Sequence, residues 1–197
     1  MKHLVLLGRS RVLRKLLQHF VAHHPARFYA REAARAVGCP IGAVQRHLIR
    51  LESEGFLRSE RVGPLKYYAL HEEHPYFFEI RSMIAKSARQ EKLEETLAQL
   101  LQRLKTHYHP DRVVLFGSLA SGKVTPESDL DLLLVKKGVP RRYYDRVKEV
   151  APLIAESPVG VDFLIWTPEE WEKGKRENLF VQTEILQRGK VVYERSR

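Results

Sequence analysis

Two aspartates separated by one residue, Asp129 and Asp131, open the run D-L-D-L-L-L-V at residues 129–135. Successive side chains of a strand alternate between its faces, so residues i and i+2 share one. The run therefore projects two carboxylates side by side from an otherwise apolar segment. Like charges at that spacing are unfavourable unless a cation lies between them. Hard divalent cations such as Mg²⁺ or Mn²⁺ take oxygen ligands of this kind and keep positions open for phosphate. The chemistry this predicts is metal-dependent nucleotidyl transfer.

The elements around the pair follow from periodicity and punctuation. The run V-V-L-F before Gly117-Ser118 predicts a strand over 111–116, and 129–136 the next. A helix is expected over 140–156 with Tyr144, Val147, Val150, Leu153 and Ile154 inward. A third strand, 159–166, carries Asp162. Thr167 caps a helix that begins at Pro168, a favourable first position. A further helix over 178–187 and a last strand over 191–194 complete this part. Upstream, Ile80, Ile84, Leu93, Leu97, Leu100, Leu101 and Leu104 form the apolar stripe of one long helix. His107 and His109 at its end suit either a metal or, more simply, an exposed helix terminus. The N-terminal part reads as helices over 9–22, 30–37 and 41–54, then strands over 56–61 and 66–70 joined by Val62-Gly63-Pro64-Leu65.

Charge is uneven. Residues 1–75 hold 13 Lys and Arg against 6 Asp and Glu, a net of +7 out of +10 for the whole chain. A basic first part suggests a polyanion partner, most simply duplex DNA. The single cysteine, Cys39, excludes an intrachain disulfide framework. No apolar run approaches the length that spans a bilayer, and Leu4-Val5-Leu6-Leu7 is too short for a signal-peptide core. A cytoplasmic protein without a membrane partner is expected.

Residues 9–72, with Y-A-R-E-A-A-R-A-V-G-C-P-I-G-A-V-Q-R-H-L-I-R-L-E-S-E-G-F-L-R at their centre, resemble the winged-helix DNA-binding domains of prokaryotic transcriptional regulators. The resemblance implies that Gln45, Arg46 and Arg50 face a DNA groove and that Arg58, Arg61 and Lys66 sit on a wing near phosphates. It makes a homodimer plausible, because paired half-sites suit a two-fold. The alternative is a winged helix used for protein contact.

Residues 95–195 resemble the minimal nucleotidyltransferases of the DNA polymerase beta-like superfamily. The resemblance rests on Gly117-Ser118, ten intervening residues, Asp129-Leu130-Asp131, the later Asp162, and the ending E-I-L-Q-R-G-K-V-V-Y-E. It implies that Asp129, Asp131 and Asp162 ligate Mg²⁺ or Mn²⁺, with Asp162 also able to assist removal of the acceptor's proton. Gly117 and Ser118 would seat the phosphates of a nucleoside triphosphate, and Lys123 would neutralise the leaving pyrophosphate. Relatives often carry basic residues where this chain has Leu119 and Ser121. The acceptor is open: a protein hydroxyl on a partner, or a nucleic acid. The alternative is a transcriptional regulator whose second domain senses nucleotide or has lost turnover. The expected fold class is α+β. A winged helix-turn-helix covers 1–75, a connecting helix 76–106, and a nucleotidyltransferase α/β domain with a small mixed sheet 107–197.

Overall fold

The computed structural model describes residues 10–195. The first nine residues, including Leu4–Leu7 and the Arg9 start of the expected first helix, lie outside the described residues. The chain divides between Ala88 and Arg89 into two compact units, and the fold is α+β.

In the first unit, α1 (Arg11–Ala22) starts at Ser10, whose Oγ accepts from the Leu13 N–H at 3.3 Å. This satisfies one of the orphan donors of a helix start. Its inward stripe, Leu13, Leu16, Leu17 and Phe20, is fully buried. A two-residue strand β1 (Phe28–Tyr29) leads into α2 (Ala30–Val37), which ends on Gly38 in the left-handed conformation that glycine adopts without a steric penalty. Helix α3 (Ile41–Ser53) buries Val44, Leu48 and Leu51. Strands β2 (Leu57–Val62) and β3 (Leu65–Leu70) pair antiparallel about Gly63-Pro64, with Val62 opposite Leu65. Strand β1 adds to the far edge of β3, giving the order β1-β3-β2. At two residues it is too short to show an alternation in sequence. Helix, helix, helix, then a hairpin is the order of a winged helix.

Helix α4 (Phe77–Arg103) is long. Phe77, Ile80 and Ile84 belong to the core of the first unit, while Leu93 and Leu100 belong to that of the second. It continues as a π-helical run, Leu104–Tyr108, ended by His109 in the left-handed region. His107 and His109 form part of no group of three or more His, Cys, Asp or Glu side chains able to hold a metal among the described residues.

The second unit is a mixed four-stranded sheet with helices on both faces. Its strands are β4 (Arg112–Phe116), β5 (Leu130–Val135), β6 (Val161–Trp166) and β7 (Lys190–Glu194), in the order β6-β5-β4-β7. β5 pairs antiparallel with β4 and parallel with β6. Leu130, Leu132 and Leu134 face the layer containing α4 and α6 (Tyr143–Ile154). Leu133 and Val135 face α7 (Pro168–Glu177) and a π-helical run, Val181–Leu186. Burial on both faces is why β5 reads as a continuous apolar run rather than an alternation. Asp131 interrupts that run on the α7 side.

Two expectations change here. Tyr144, expected inward, is 69% exposed. Arg146 takes the buried place on α6, held by carbonyls and by Glu170. The helix expected over 178–187 starts only after Asn178, whose Oδ1 accepts from the Val181 N–H at 3.2 Å. From Val181 its turns are π-helical. Among the described residues no helix is long and apolar enough to cross a membrane.

Candidate functional site

Strand register assembles the carboxylates. Phe116 on β4 lies opposite Asp131 on β5, which lies beside Asp162 on β6. Register partners in a sheet project to the same face, with strands about 4.8 Å apart. Asp131 and Asp162 therefore stand together on the α7 side of the sheet, at its open end. Asp129 sits one residue ahead of β5, not within it, and is exposed.

Two glycines make room for two of these carboxylates. Gly117 (φ 70°) ends β4 and opens the five-residue helix α5 (Gly117–Ser121). A Cβ there would sit 2.6 Å from Asp131 Cγ. Gly160 leads into β6 and accepts the Leu130 N–H at 3.0 Å. A Cβ there would sit 2.6 Å from Asp129 Cγ. Gly160 was not foreseen. Its signal is the pattern G-x-D at 160–162, which places a missing side chain on the same face as an acid.

Electrostatics follow from this crowding. Burial, then Asp162, then Asp129 push the Asp131 carboxyl above its ordinary range, and the backbone N–H of Ser118 opposes them by hydrogen bonding to it. That N–H is therefore engaged and is not left for phosphate. The Ser118 hydroxyl is buried and, among the described residues, has no hydrogen-bond partner. Leu119 is buried in the core beneath α5. The Ser121 hydroxyl donates back to the Ser118 carbonyl. Lys123 lies past Gly122 with an exposed side chain, and among the described residues it makes no ion pair.

A fourth group was also missed. Arg89, on α4, donates from Nε to the Ser128 carbonyl at 2.7 Å and from Nη2 to Asp129 Oδ1 at 3.1 Å. No sequence spacing signals a pair forty residues apart.

The donor set can be compared with the cation it was expected to hold. Among the described residues, no three His, Cys, Asp or Glu side chains enclose a metal position by themselves. Three carboxylates around one sheet end, one of them destabilised by the other two, fit a divalent cation that completes its shell with water and substrate phosphate.

The surface of the first unit sorts its expected residues differently. Gln45 shares a cavity of about 620 Å³ with Ile41, Ile49, Tyr29 and Lys66. Ile41 and Ile49 flank Gln45 at helical spacing and are exposed, an apolar pair the sequence reading did not single out. Arg46 is exposed on the same helix. Arg50 pairs with Glu54 at 2.8 Å, and Lys66 with Glu52 at 2.7 Å. Arg61 lies opposite Lys66 across the hairpin and so shares its face. Arg58, three residues earlier, lies on the opposite face, beside Arg27 and Tyr67.

Comparison with known proteins bears on the second unit. Residues 97–191 match the nucleotidyltransferase domain family. Arg89 precedes the matched segment, whereas all three aspartates, Gly117 and Gly160 fall inside it. The chain is 36% identical over 66 residues to a "Putative protein adenylyltransferase" of Methanocaldococcus jannaschii, which is 32% of this chain and 45% of that protein. The chain thus spans less than half the length of this relative. Among solved structures, it aligns with a "putative nucleotidyltransferase" from Sulfolobus solfataricus at TM-score 0.43 and 19% identity, over 56% of this chain and 88% of that one. It also aligns with TrmBL2, an archaeal chromatin protein, at TM-score 0.31 and 17% identity, over 90% of this chain and 73% of that one.

Proposed function

We propose that the second unit transfers a nucleoside monophosphate from a nucleoside triphosphate to an acceptor hydroxyl, and that the first unit binds duplex DNA. The observation that carries the first half is the register that sets Asp131 beside Asp162, with Asp129 and the Gly117-Ser118 turn next to them, inside the segment that matches the nucleotidyltransferase domain. In the reaction the acceptor oxygen forms a bond to the α-phosphorus, the bond to pyrophosphate breaks, and the acceptor's proton leaves to a base. A bound Mg²⁺ or Mn²⁺ supplies charge stabilisation at the attacking and leaving oxygens. Asp129, Asp131 and Asp162 would hold it, and Asp162, exposed like Asp129, would take the proton. Gly117 leaves room for the Asp131 carboxylate, and the exposed Lys123 contacts phosphate. The resemblance to a protein named as an adenylyltransferase makes ATP the donor and a protein hydroxyl the acceptor to test first.

Buried Leu119 supports a second reading, a nucleotide-sensing regulator without turnover, because no cation follows Gly117-Ser118. One experiment separates the two. The protein is incubated with each α-labelled nucleoside triphosphate, Mg²⁺ or Mn²⁺, and protein or nucleic-acid acceptors, beside an Asp129→Ala/Asp131→Ala variant. Label transfer by the wild type that the variant lacks is expected. Nucleotide binding with no transfer to any acceptor supports the regulator instead.

For the DNA half, the basic charge of the first unit and the exposed Gln45, Arg46 and Arg61 support the proposal. Arg46→Ala is expected to reduce discrimination between a selected duplex and random DNA, with a cost of about 1–3 kcal/mol for a base contact. Arg61→Ala should weaken binding to all duplexes alike and lower the salt slope by about 1. Lys66→Ala should have a smaller effect on that slope, because Glu52 already neutralises Lys66. Binding titrations at several salt concentrations check all three, and duplex binding untouched by any of them removes the first unit as a DNA reader.

A further inference from the structure

The site as described is short of positive charge. A triphosphate is strongly anionic, and it would approach three carboxylates at one sheet end. The turn that faces it offers a buried leucine at Leu119 and a serine at Ser121 whose hydroxyl donates to its own helix. Lys123 is a solvated point charge in the following loop. Among the described residues, the cation bonded directly to the carboxylate set is Arg89.

Arg89 is held in a particular way. Its side chain is only 19% exposed. Nε is anchored on a backbone acceptor, the Ser128 carbonyl, and Nη2 on Asp129 Oδ1. The loop it grips is itself closed: Ser128 Oγ accepts the Thr125 N–H at 2.8 Å, and the Ser128 N–H donates to the Thr125 carbonyl. The anchor through Nε does not depend on the ionisation or ligation of Asp129. A guanidinium is planar, permanently charged and presents its donors as a fork that matches two phosphate oxygens. With Nε fixed, Nη1 and Nη2 make up the end of that fork. Nη2 is engaged by Asp129, and it would be released if Asp129 turned to a metal.

We propose that Arg89 is a triphosphate-binding cation of this site beside Lys123, standing on Asp129 as its counter-ion until a divalent metal takes that carboxylate. This rests on the nucleotidyl-transfer reading above and assigns to it a residue outside the segment that matches the family. Arg89 and the metal then compete for Asp129 in the absence of nucleotide, and cooperate once nucleotide is bound. A residue that only pins α4 to the loop at 125–129 would show no such opposition.

The opposition is measurable on the full chain without turnover. Mn²⁺ binding is followed by electron paramagnetic resonance in the absence of nucleotide. Binding of a non-hydrolysable ATP analogue is followed by calorimetry at saturating Mn²⁺. Wild type is compared with Arg89→Ala, Arg89→Gln and Arg89→Lys, with circular dichroism to confirm folding. Arg89→Ala and Arg89→Gln should bind Mn²⁺ several-fold more tightly and the analogue about 10-fold or more weakly, since a charge-assisted pair to phosphate is lost. Arg89→Lys, which keeps the charge and loses the fork, should fall between. Mn²⁺ and analogue affinities that weaken together, along with the melting temperature, would mark Arg89 as a structural pin and overturn the proposal. Analogue affinity unchanged in Arg89→Ala overturns it while leaving the nucleotidyl-transfer reading intact. A wild type that binds no nucleotide overturns both.

Discussion

Replacing Gly117 by Ala is expected to lower nucleotidyl transfer by about 10²-fold or more while the second unit still folds. Two effects act at this position and can be told apart. Its φ of 70° is one that a residue with a Cβ adopts only under strain, at about 1–2 kcal/mol. The added methyl would also fall within the Asp131 carboxylate, 2.6 Å from its Cγ. Asp131 has nowhere equivalent to go, because its Cα is held in the ladder between Phe116 and Asp162. It must rotate away from Asp162 and the Ser118 N–H, and misplacing a catalytic group by about 1 Å suffices for a loss of that size. Gly122→Ala provides the control. Gly122 has a matching φ of 71° and open space around a built Cβ. It should carry the strain alone, with a similar backbone cost and nearly normal transfer. Urea unfolding of both variants, alone and with Asp131→Ala, isolates the collision. The excess destabilisation of Gly117→Ala over Gly122→Ala should vanish when Asp131 is truncated, an interaction of about 1–3 kcal/mol. Equal effects of the two glycine changes on transfer would show that Gly117 serves the turn and not the carboxylate.

What the sequence made visible and what it hid divide along a physical line. Helix and strand periods, caps and breakers are local. The Thr167 cap and the hairpin at Gly63-Pro64 are accordingly where spacing places them. The uninterrupted apolar run of β5 signals burial on both faces, and the acid within it stands out for that reason. The partners of that acid are another matter. That Asp162 is the register neighbour of Asp131 depends on a parallel pairing across an intervening helix, which no spacing encodes; only family resemblance pointed there. Arg89 is hidden for the same reason, on a helix that otherwise reads as a connector. Charges on the first unit are the reverse case. Arg50, Arg58, Arg61 and Lys66 are all legible as basic residues, yet Glu54 and Glu52 engage two of them and strand alternation turns Arg58 to the other face. Tyr144 gives up its expected inward place to Arg146, a long cation that finds acceptors in the Pro140 and Ile165 carbonyls and in Glu170. Hydrophobicity alone does not weigh that possibility.

Arg146 is also where the second unit should be most vulnerable to acid. Its side chain is 6% exposed, with Nε donating to the Pro140 carbonyl at 2.6 Å and Nη1 to the Ile165 carbonyl at 3.0 Å. Its charge is matched by Glu170, which accepts from Nη1 at 2.6 Å and from Nη2 at 3.0 Å. Glu170 is also the third residue of α7 and closes the capping box with Thr167. The Arg146–Glu170 pair thus ties α6, β6 and the start of α7 together. Hydrogen bonds from Arg146 hold the Glu170 carboxyl below its ordinary value, against a smaller opposing effect of burial. A carboxyl lowered by folding stabilises the protein above its unfolded pKa, and that contribution disappears as pH falls through the lower, folded value. Glu170→Ala leaves a buried guanidinium short of its counter-charge. Breaking a fully buried pair this way costs about 3–5 kcal/mol. Glu170 itself is 44% exposed, so solvent screens part of the loss and about 2 kcal/mol is expected. Trp166 and Trp171, the two tryptophans of the chain, both lie in the second unit, so fluorescence during urea unfolding reports on it selectively. The difference between wild type and Glu170→Ala should be constant above the ordinary glutamate pKa of 4.5 and shrink below it. Glu170→Gln, which keeps the cap acceptor without the charge, should lose less. Arg146→Met in the Glu170→Ala background should recover stability, because an apolar chain of similar length needs no counter-charge. A gap that stays the same size from neutral pH to well below 4.5 would assign the loss to the helix cap instead.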